Sequence, residues 1–256
     1  MMLAGHAPRT LVRNRSTLLA FVVCACALSA CASSNHASSA NASTAQNQST
    51  SKRETLWLNP DNPEWKKPAP PISHLRFETT KGVFVLELIR EQGPIGADRL
   101  YNLARLGYYD DTRFHRVNKN YIAQFGLSGI PAVNAAWKDR YLPDDPPRSH
   151  NVRGAFAFSF KALKDTRNTQ IYINLSDNPK NDAESFTMLG TVVLGMSVLD
   201  SLYAGYGESS GSGVRQGRQE PLATGGNPYM DRVFPLLDKI QRVTVETVKK
   251  SVKKTV

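Results

Sequence analysis

Phe114-His115-Arg116-Val117-Asn118-Lys119-Asn120-Tyr121-Ile122-Ala123-Gln124-Phe125-Gly126 is the stretch whose reading decides the fold. It holds two strand candidates, 113–117 and 121–127. Taken alone, Arg116 reads as a structural arginine paired with an acid. His115 reads as a satisfied structural histidine rather than a catalyst. Tyr121 and Ile122, on a strand, are by default half-buried packing.

Outward from this stretch the chain is rich in strands. Leu75-Arg76-Phe77-Glu78 and Val83-Phe84-Val85-Leu86-Glu87-Leu88 flank Thr80-Lys81-Gly82, a hairpin signal with glycine in the turn. Further strands are predicted at 155–160, 170–175 and 187–194, and an alternating strand from Ile240 to Val248. Leu100, Leu103, Ala104 and Tyr108 share helical spacing and predict a helix over 95–108. A second helix is predicted from Ser197 to Tyr203. Two segments read as irregular: 128–152, with four prolines, and 205–228, with seven glycines. There is no internal repeat. Many strands and two helices predict one closed β structure whose open ends are covered by helices.

Three later runs stand in register with the first. They are Asn151-Val152-Arg153-Gly154-Ala155-Phe156-Ala157-Phe158-Ser159, Thr169-Gln170-Ile171-Tyr172-Ile173-Asn174-Leu175, and Phe186-Thr187-Met188-Leu189-Gly190-Thr191-Val192-Val193 with Gly195-Met196. In this order and spacing the four resemble the cyclophilin family of peptidyl-prolyl cis/trans isomerases, from about Leu75 to about Val245. Gly205-Tyr206-Gly207-Glu208 and the run from Gly226 to Asp238 look like those of a bacterial subgroup.

The resemblance implies a mainly β fold, an eight-stranded antiparallel barrel closed on itself and capped by two helices. It implies a site in a groove on the outside of the barrel. Arg116 stands where the family has its catalytic arginine. Gln124 stands at the glutamine that helps hold substrate. Tyr121 and Ile122 match an aromatic and a methionine that wall the proline pocket, and Tyr172 matches a phenylalanine on its floor. Ser159 and Phe160 match a segment whose backbone pairs with substrate, and Gln170 a glutamine near the arginine. Phe186 stands where many members carry histidine, and the Trp-Leu pair common before it is absent. Loss of that tryptophan argues against tight cyclosporin binding. Lys119 replaces a frequent proline. Tyrosine at 121 and 172 brings hydroxyls that each need a partner. Isomerisation makes and breaks no covalent bond, so no nucleophile, metal or cofactor is expected. The histidines lack ligand spacing.

Residues 1–30 carry Arg9, Arg13 and Arg15, then an apolar stretch from Leu18 to Leu28 too short to span a bilayer. It ends in Leu28-Ser29-Ala30-Cys31, which resembles a bacterial lipobox. The expectation is a signal peptide over 1–30, lipid on Cys31, and attachment to a membrane on the periplasmic side of the cell envelope. Ala32 leans toward the outer membrane. Cleavage would remove Cys24, Cys26 and three of the positive charges behind the net +10. No thiol would then remain for a disulfide or a nucleophile.

The segment 31–73 is expected to be the lipidated cysteine, a Ser/Ala/Asn-rich tether and a proline-rich extended lead-in with room to pack on the domain surface. The folded domain is expected at 74–248, and a solvated basic tail at 249–256. Glu208 reads as a loop charge. Expected partners are proline-containing polypeptides and the membrane, with no nucleic acid; a monomer is expected. The alternative to an isomerase is a proline-peptide binding module or chaperone of the envelope.

Overall fold

The computed structural model describes residues 52–161, 163–210 and 219–247. The expected signal segment, Cys31, most of the expected tether and the expected basic tail lie outside the described residues. Those described all fall in one unit of the fold.

The first two strands show why the sequence pattern works. β1 (Ile72–Thr79) alternates in burial, so Leu75 and Phe77 face inward. β2 (Gly82–Ile89) does the same with Phe84, Leu86 and Leu88. Their hairpin register sets Phe77 opposite Phe84, and the two rings stack at 4.7 Å. The remaining strands are β3 (Thr112–Arg113), β4 (Arg116–Asn118), β5 (Ile122–Phe125), β6 (Ala155–Phe158), β7 (Ile171–Asn174), β8 (Met188–Leu194) and β9 (Lys239–Thr247). They form one antiparallel sheet in the order β3-β9-β1-β2-β8-β6-β7-β5-β4. Its concave side holds Phe77, Phe84, Tyr109, Phe114 and Phe125, whose rings meet at 4.7–6.4 Å.

The sheet curls but its hydrogen-bonded order stays open, with nine strands rather than the expected closed eight. The cause lies at 113–117, expected as one strand. Arg113 pairs with β9 and Arg116 with β5, so the run splits at Phe114-His115. The Phe114 N–H donates to the Asp238 carbonyl at 3.0 Å. The two end strands are therefore neighbours in the chain without pairing with each other.

Both expected helices are present, as α1 (Pro94–Arg105) and α3 (Met196–Asp200). Two more occur in the segments read as irregular: α2 (Pro131–Trp137) and α4 (Gln219–Val233), the latter bent at Gly226. Neither has long periodic apolar spacing: α2 is short and sends Val133 and Trp137 into the main core, while α4 buries Leu222 and Met230 in a separate apolar cluster. The remainder of 128–152 is tied down by a buried ion cluster. Asp145 accepts the N–H groups of Ile95 and Gly96 at 3.0 and 2.8 Å, at the start of α1. Arg167, itself buried, pairs with Asp145 at 3.2 Å and Asp144 at 2.9 Å and also donates to the Pro143 carbonyl.

The lead-in is also more structured than expected. Residues 52–57 are helical and Pro63–Lys66 form a 3-10 turn. Trp65 is buried edge-on against Trp137 at 4.8 Å. Trp137 Nε1 donates to the Trp57 carbonyl, and Trp57 Nε1 to that of Leu106. Proline content predicted extended chain; the tryptophans and their N–H partners override it.

Candidate active site

β4 and β5 form a hairpin with Asn118 opposite Ile122, Val117 opposite Ala123 and Arg116 opposite Gln124. The eight-residue spacing of Arg116 and Gln124 is thus a direct cross-strand pair. Arg116 Nη1 donates to Gln124 Oε1 at 3.1 Å. Gln124 Nε2 donates onward to Gln170 Oε1 at 2.8 Å and to Ser159 Oγ at 3.3 Å. Gln170 Nε2 donates to Gln219 Oε1 at 3.0 Å. The amide chain fixes Gln124 with its oxygen toward the guanidinium, and Gln124 is buried.

The apolar residues gather beside this chain. β5, β6 and β7 are buried on both faces. One face belongs to the main core. The other carries Ile122, Ala155, Ala157, Tyr172 and Met188, with Tyr121 and Phe186 packed against them. Strand register brings them together: Tyr172 lies opposite Gln124 and Ala157. Phe186 meets the Tyr172 ring edge-on at 4.9 Å and the Phe160 ring at 4.5 Å. The guanidinium sits 5.9 Å from the Tyr121 ring centre. Gly190 lets the strands close up here: with φ 153° it passes so near Glu87 that a Cβ would lie 1.8 Å from that carbonyl oxygen.

The two unusual hydroxyls have partners. Tyr172 Oη donates to Asn151 Oδ1 at 2.7 Å, and Tyr121 Oη to Asn181 Oδ1 at 3.2 Å. Burial, and then the nearby Tyr121, push the Tyr172 phenol well above its ordinary pKa, so it stays neutral. Ser159 donates its N–H to the Gln170 carbonyl at 2.8 Å, so that group serves the sheet.

All the sequence-predicted site residues among those described come together: Arg116, Gln124, Ser159 and Gln170 as a polar chain, and Tyr121, Ile122, Phe160, Tyr172 and Phe186 as an apolar group. Cys31 lies outside the described residues. His115 is fully buried, with the Gln170 side chain and the Arg113 backbone beside its ring. Burial, then the charge of Arg116, lower its pKa to about 4. Its full burial fits the structural reading of the sequence.

One expectation is corrected. Glu208 is no idle loop charge. Its carboxylate accepts from Arg116 Nε at 2.9 and 3.1 Å and from Nη2 at 2.8 Å. Asn118 Nδ2 donates to the same carboxylate at 3.2 Å. Asn118, two residues from Arg116 on the same strand face, could have been found from the period of two. Glu208, 92 residues away, carried no sequence signal. Among the described residues, no three His, Cys, Asp or Glu are grouped to hold a metal ion.

Comparison with known proteins gives the family. Residues 74–221 match the family described as cyclophilin type peptidyl-prolyl cis-trans isomerase/CLD. The chain is 32% identical over 134 residues to peptidyl-prolyl cis-trans isomerase-like 2 of Rhizopus delemar, covering 51% of this chain but only 25% of that protein. It is 27% identical over 129 residues to peptidyl-prolyl cis-trans isomerase ppi1 of Schizosaccharomyces pombe, covering 50% of this chain and 83% of the relative. A bacterial relative, peptidyl-prolyl cis-trans isomerase A of Dickeya dadantii, is 25% identical over 134 residues, 51% of this chain and 70% of its own. The crystal structure of a Cryptosporidium parvum cyclophilin type peptidyl-prolyl cis-trans isomerase superposes with a TM-score of 0.51 at 18% identity, covering 70% of this chain and 99% of its own, a likeness of fold. A second structure of that protein, obtained in the presence of the dipeptide Ala-Pro, gives 0.50 at 18% identity, over 68% and 99% of the two chains. With a cross-strand arginine and glutamine beside an apolar outer face, on a curled antiparallel sheet whose family match spans more than half the sequence, the chain belongs to the cyclophilin-type peptidyl-prolyl cis-trans isomerases.

Proposed function

We propose that this isomerase acts on Xaa-Pro bonds of exported proteins, with Arg116 polarising the prolyl amide in the groove between the Gln124–Gln170 chain and the Tyr121/Ile122/Tyr172/Phe186 group. The carrying observation is the Arg116–Gln124 bond directly beside that apolar group.

The barrier to amide rotation, roughly 18–20 kcal/mol, comes from donation of the nitrogen lone pair into the carbonyl. In the twisted state the lone pair localises on nitrogen and can accept a hydrogen bond. A guanidinium stays charged and offers a fixed set of donors, so it can donate to that nitrogen as conjugation is lost. Only the part of the interaction that is stronger in the twisted amide raises the rate. A charge-assisted hydrogen bond of about 1.5–3 kcal/mol corresponds to about ten- to a hundredfold. Tyr121, Ile122, Tyr172 and Phe186 would wall the pyrrolidine ring, and Gln124 would hold the guanidinium. Ser159 and Phe160, just past the end of β6, would meet the peptide through backbone groups other than the Ser159 N–H, and Gln170 would orient Gln124. The Ala-Pro dipeptide present with the Cryptosporidium parvum protein supports a proline-containing ligand.

Residues 9–31 support an exported protein, lipid-anchored through Cys31 on the periplasmic side. The basic segment, short apolar stretch and Leu-Ser-Ala-Cys are together the signal for that processing.

The test is cis/trans exchange of a proline peptide with the full chain in detergent, measured by magnetisation transfer. Wild type accelerates exchange, and Arg116→Ala loses about ten- to a hundredfold of that acceleration. Equal rates for the two would sink the role of Arg116. Peptide binding by both without acceleration would favour a binding module instead.

A further inference from the structure

Arg116 has five N–H donors. Glu208 takes the one on Nε and one on Nη2, and Gln124 takes one on Nη1. One N–H on each terminal nitrogen is left to meet a substrate. The Glu208 contact differs from an ordinary surface ion pair, which contributes little because both partners keep moving. It is two-pronged, the Arg116 side chain is only 18% exposed, and Asn118 braces the carboxylate from a second side.

The backbone around Glu208 is also built. The Gly207 N–H donates to the Ala204 carbonyl at 3.0 Å, and that of Ser209 to Tyr206 at 2.8 Å. Gly207 has φ 52°, a turn conformation that aims the next residue back at the sheet. Tyr206 anchors the turn, its ring 5.2 Å from Phe234 and 5.0 Å from Tyr203, its hydroxyl oxygen accepting from the Leu236 N–H.

We propose that Glu208 is a positioning residue of the isomerase site, clamping the Nε–Nη2 edge of Arg116 against the grip of Gln124 so that the two remaining N–H groups are held toward the groove. The inference rests on the isomerase reading of Arg116. The clamp also neutralises the guanidinium, so the groove of the wild type carries little net charge. Removing the carboxylate frees the guanidinium to rotate and leaves a positive groove. Both effects are measurable and have different signatures.

The experiment uses the full chain, 15N-labelled in detergent micelles, as wild type, Glu208→Ala and Glu208→Gln. The Arg116 Nε–H resonance, identified by its absence in Arg116→Lys, is sharp and slow to exchange with water in the wild type and broadens in Glu208→Ala. Exchange of an Ala-Pro peptide slows about tenfold in Glu208→Ala. Glu208→Gln keeps one acceptor oxygen and recovers part of the rate. The loss in Glu208→Ala is smaller for a Glu-Pro peptide than for a Lys-Pro peptide, which simple loosening of the turn would not produce. A rate in Glu208→Ala equal to or above wild type overturns the proposal, since the carboxylate would then mask the arginine. An unchanged Nε–H resonance in Glu208→Ala also overturns it. If wild type and Arg116→Ala isomerise alike while the resonance still responds to Glu208, the isomerase role of Arg116 fails and the clamp remains as a structural contact.

Discussion

At the scale of single residues, the chemistry of this site is set by what surrounds two adjacent side chains. Arg116 points to the outer face of the sheet and finds Glu208, Gln124 and Asn118 there. His115, one residue earlier, is turned the other way into the interior, fully buried. Its pKa of about 4 lies below the ordinary value of 6.5 because burial penalises the charged ring. A base held neutral in the native state gains no proton there as pH falls, whereas the unfolded chain does. Stability is therefore complete above about pH 6.5 and is lost as pH falls toward about 4, by roughly 3 kcal/mol in all. Urea unfolding at pH 7 and at pH 4.5 should show most of that drop in the wild type. His115→Leu should remove most of it; an identical drop in the variant would mean other groups carry the acid sensitivity. The sequence read Arg116 as the functional residue and His115 as a structural one, and the two side chains do lie in different surroundings. It could not name Glu208, because a lone acid among glycines has no period or spacing to read.

At the scale of elements, strands were far more legible than helices. β1 and β2 alternate cleanly because one face is core and the other is not. β5 to β7 are buried throughout, and the residue types on their outer face, Ile122, Ala157 and Tyr172, are those of a second apolar layer. The segments around α2 and α4 read as irregular because proline and glycine dominate them. Their order comes from long-range partners that local patterns do not contain. Arg113 reaches Asp231 on α4 at 2.8 Å. Asp145 joins the start of α1 to the buried Arg167. Breaking a buried charge cluster by removing one member leaves the other uncompensated, at a cost of about 3–5 kcal/mol. Asp145→Ala should therefore lower unfolding stability by about 3 kcal/mol, since Asp144 still faces Arg167. A change below about 0.5 kcal/mol, the range of ordinary surface substitutions, would mean the cluster does not order this segment.

At the scale of the whole molecule, the fold joins a groove to an N-terminal segment that is itself partly built into the domain. Trp57 and Trp65 lock onto Trp137 and Leu106, so the domain starts before the residues that match the family. The proposed anchor lies further upstream, and its prediction belongs to the intact chain. Expressed in a bacterium, wild type should partition with membranes and take up labelled palmitate, whereas Cys31→Ser should do neither. Equal partitioning of the two would exclude Cys31 as the anchor. By itself the sequence determined the strand-rich architecture, the strands that carry Arg116 and Gln124, and the family, because alternation and fixed spacing are local properties that survive in one dimension. Only the tertiary structure decided that the sheet stays open at Phe114-His115, that α2 and α4 form, and that Glu208 holds Arg116. Those outcomes depend on contacts between residues tens of positions apart, whose free energy exists only once the chain has brought them together.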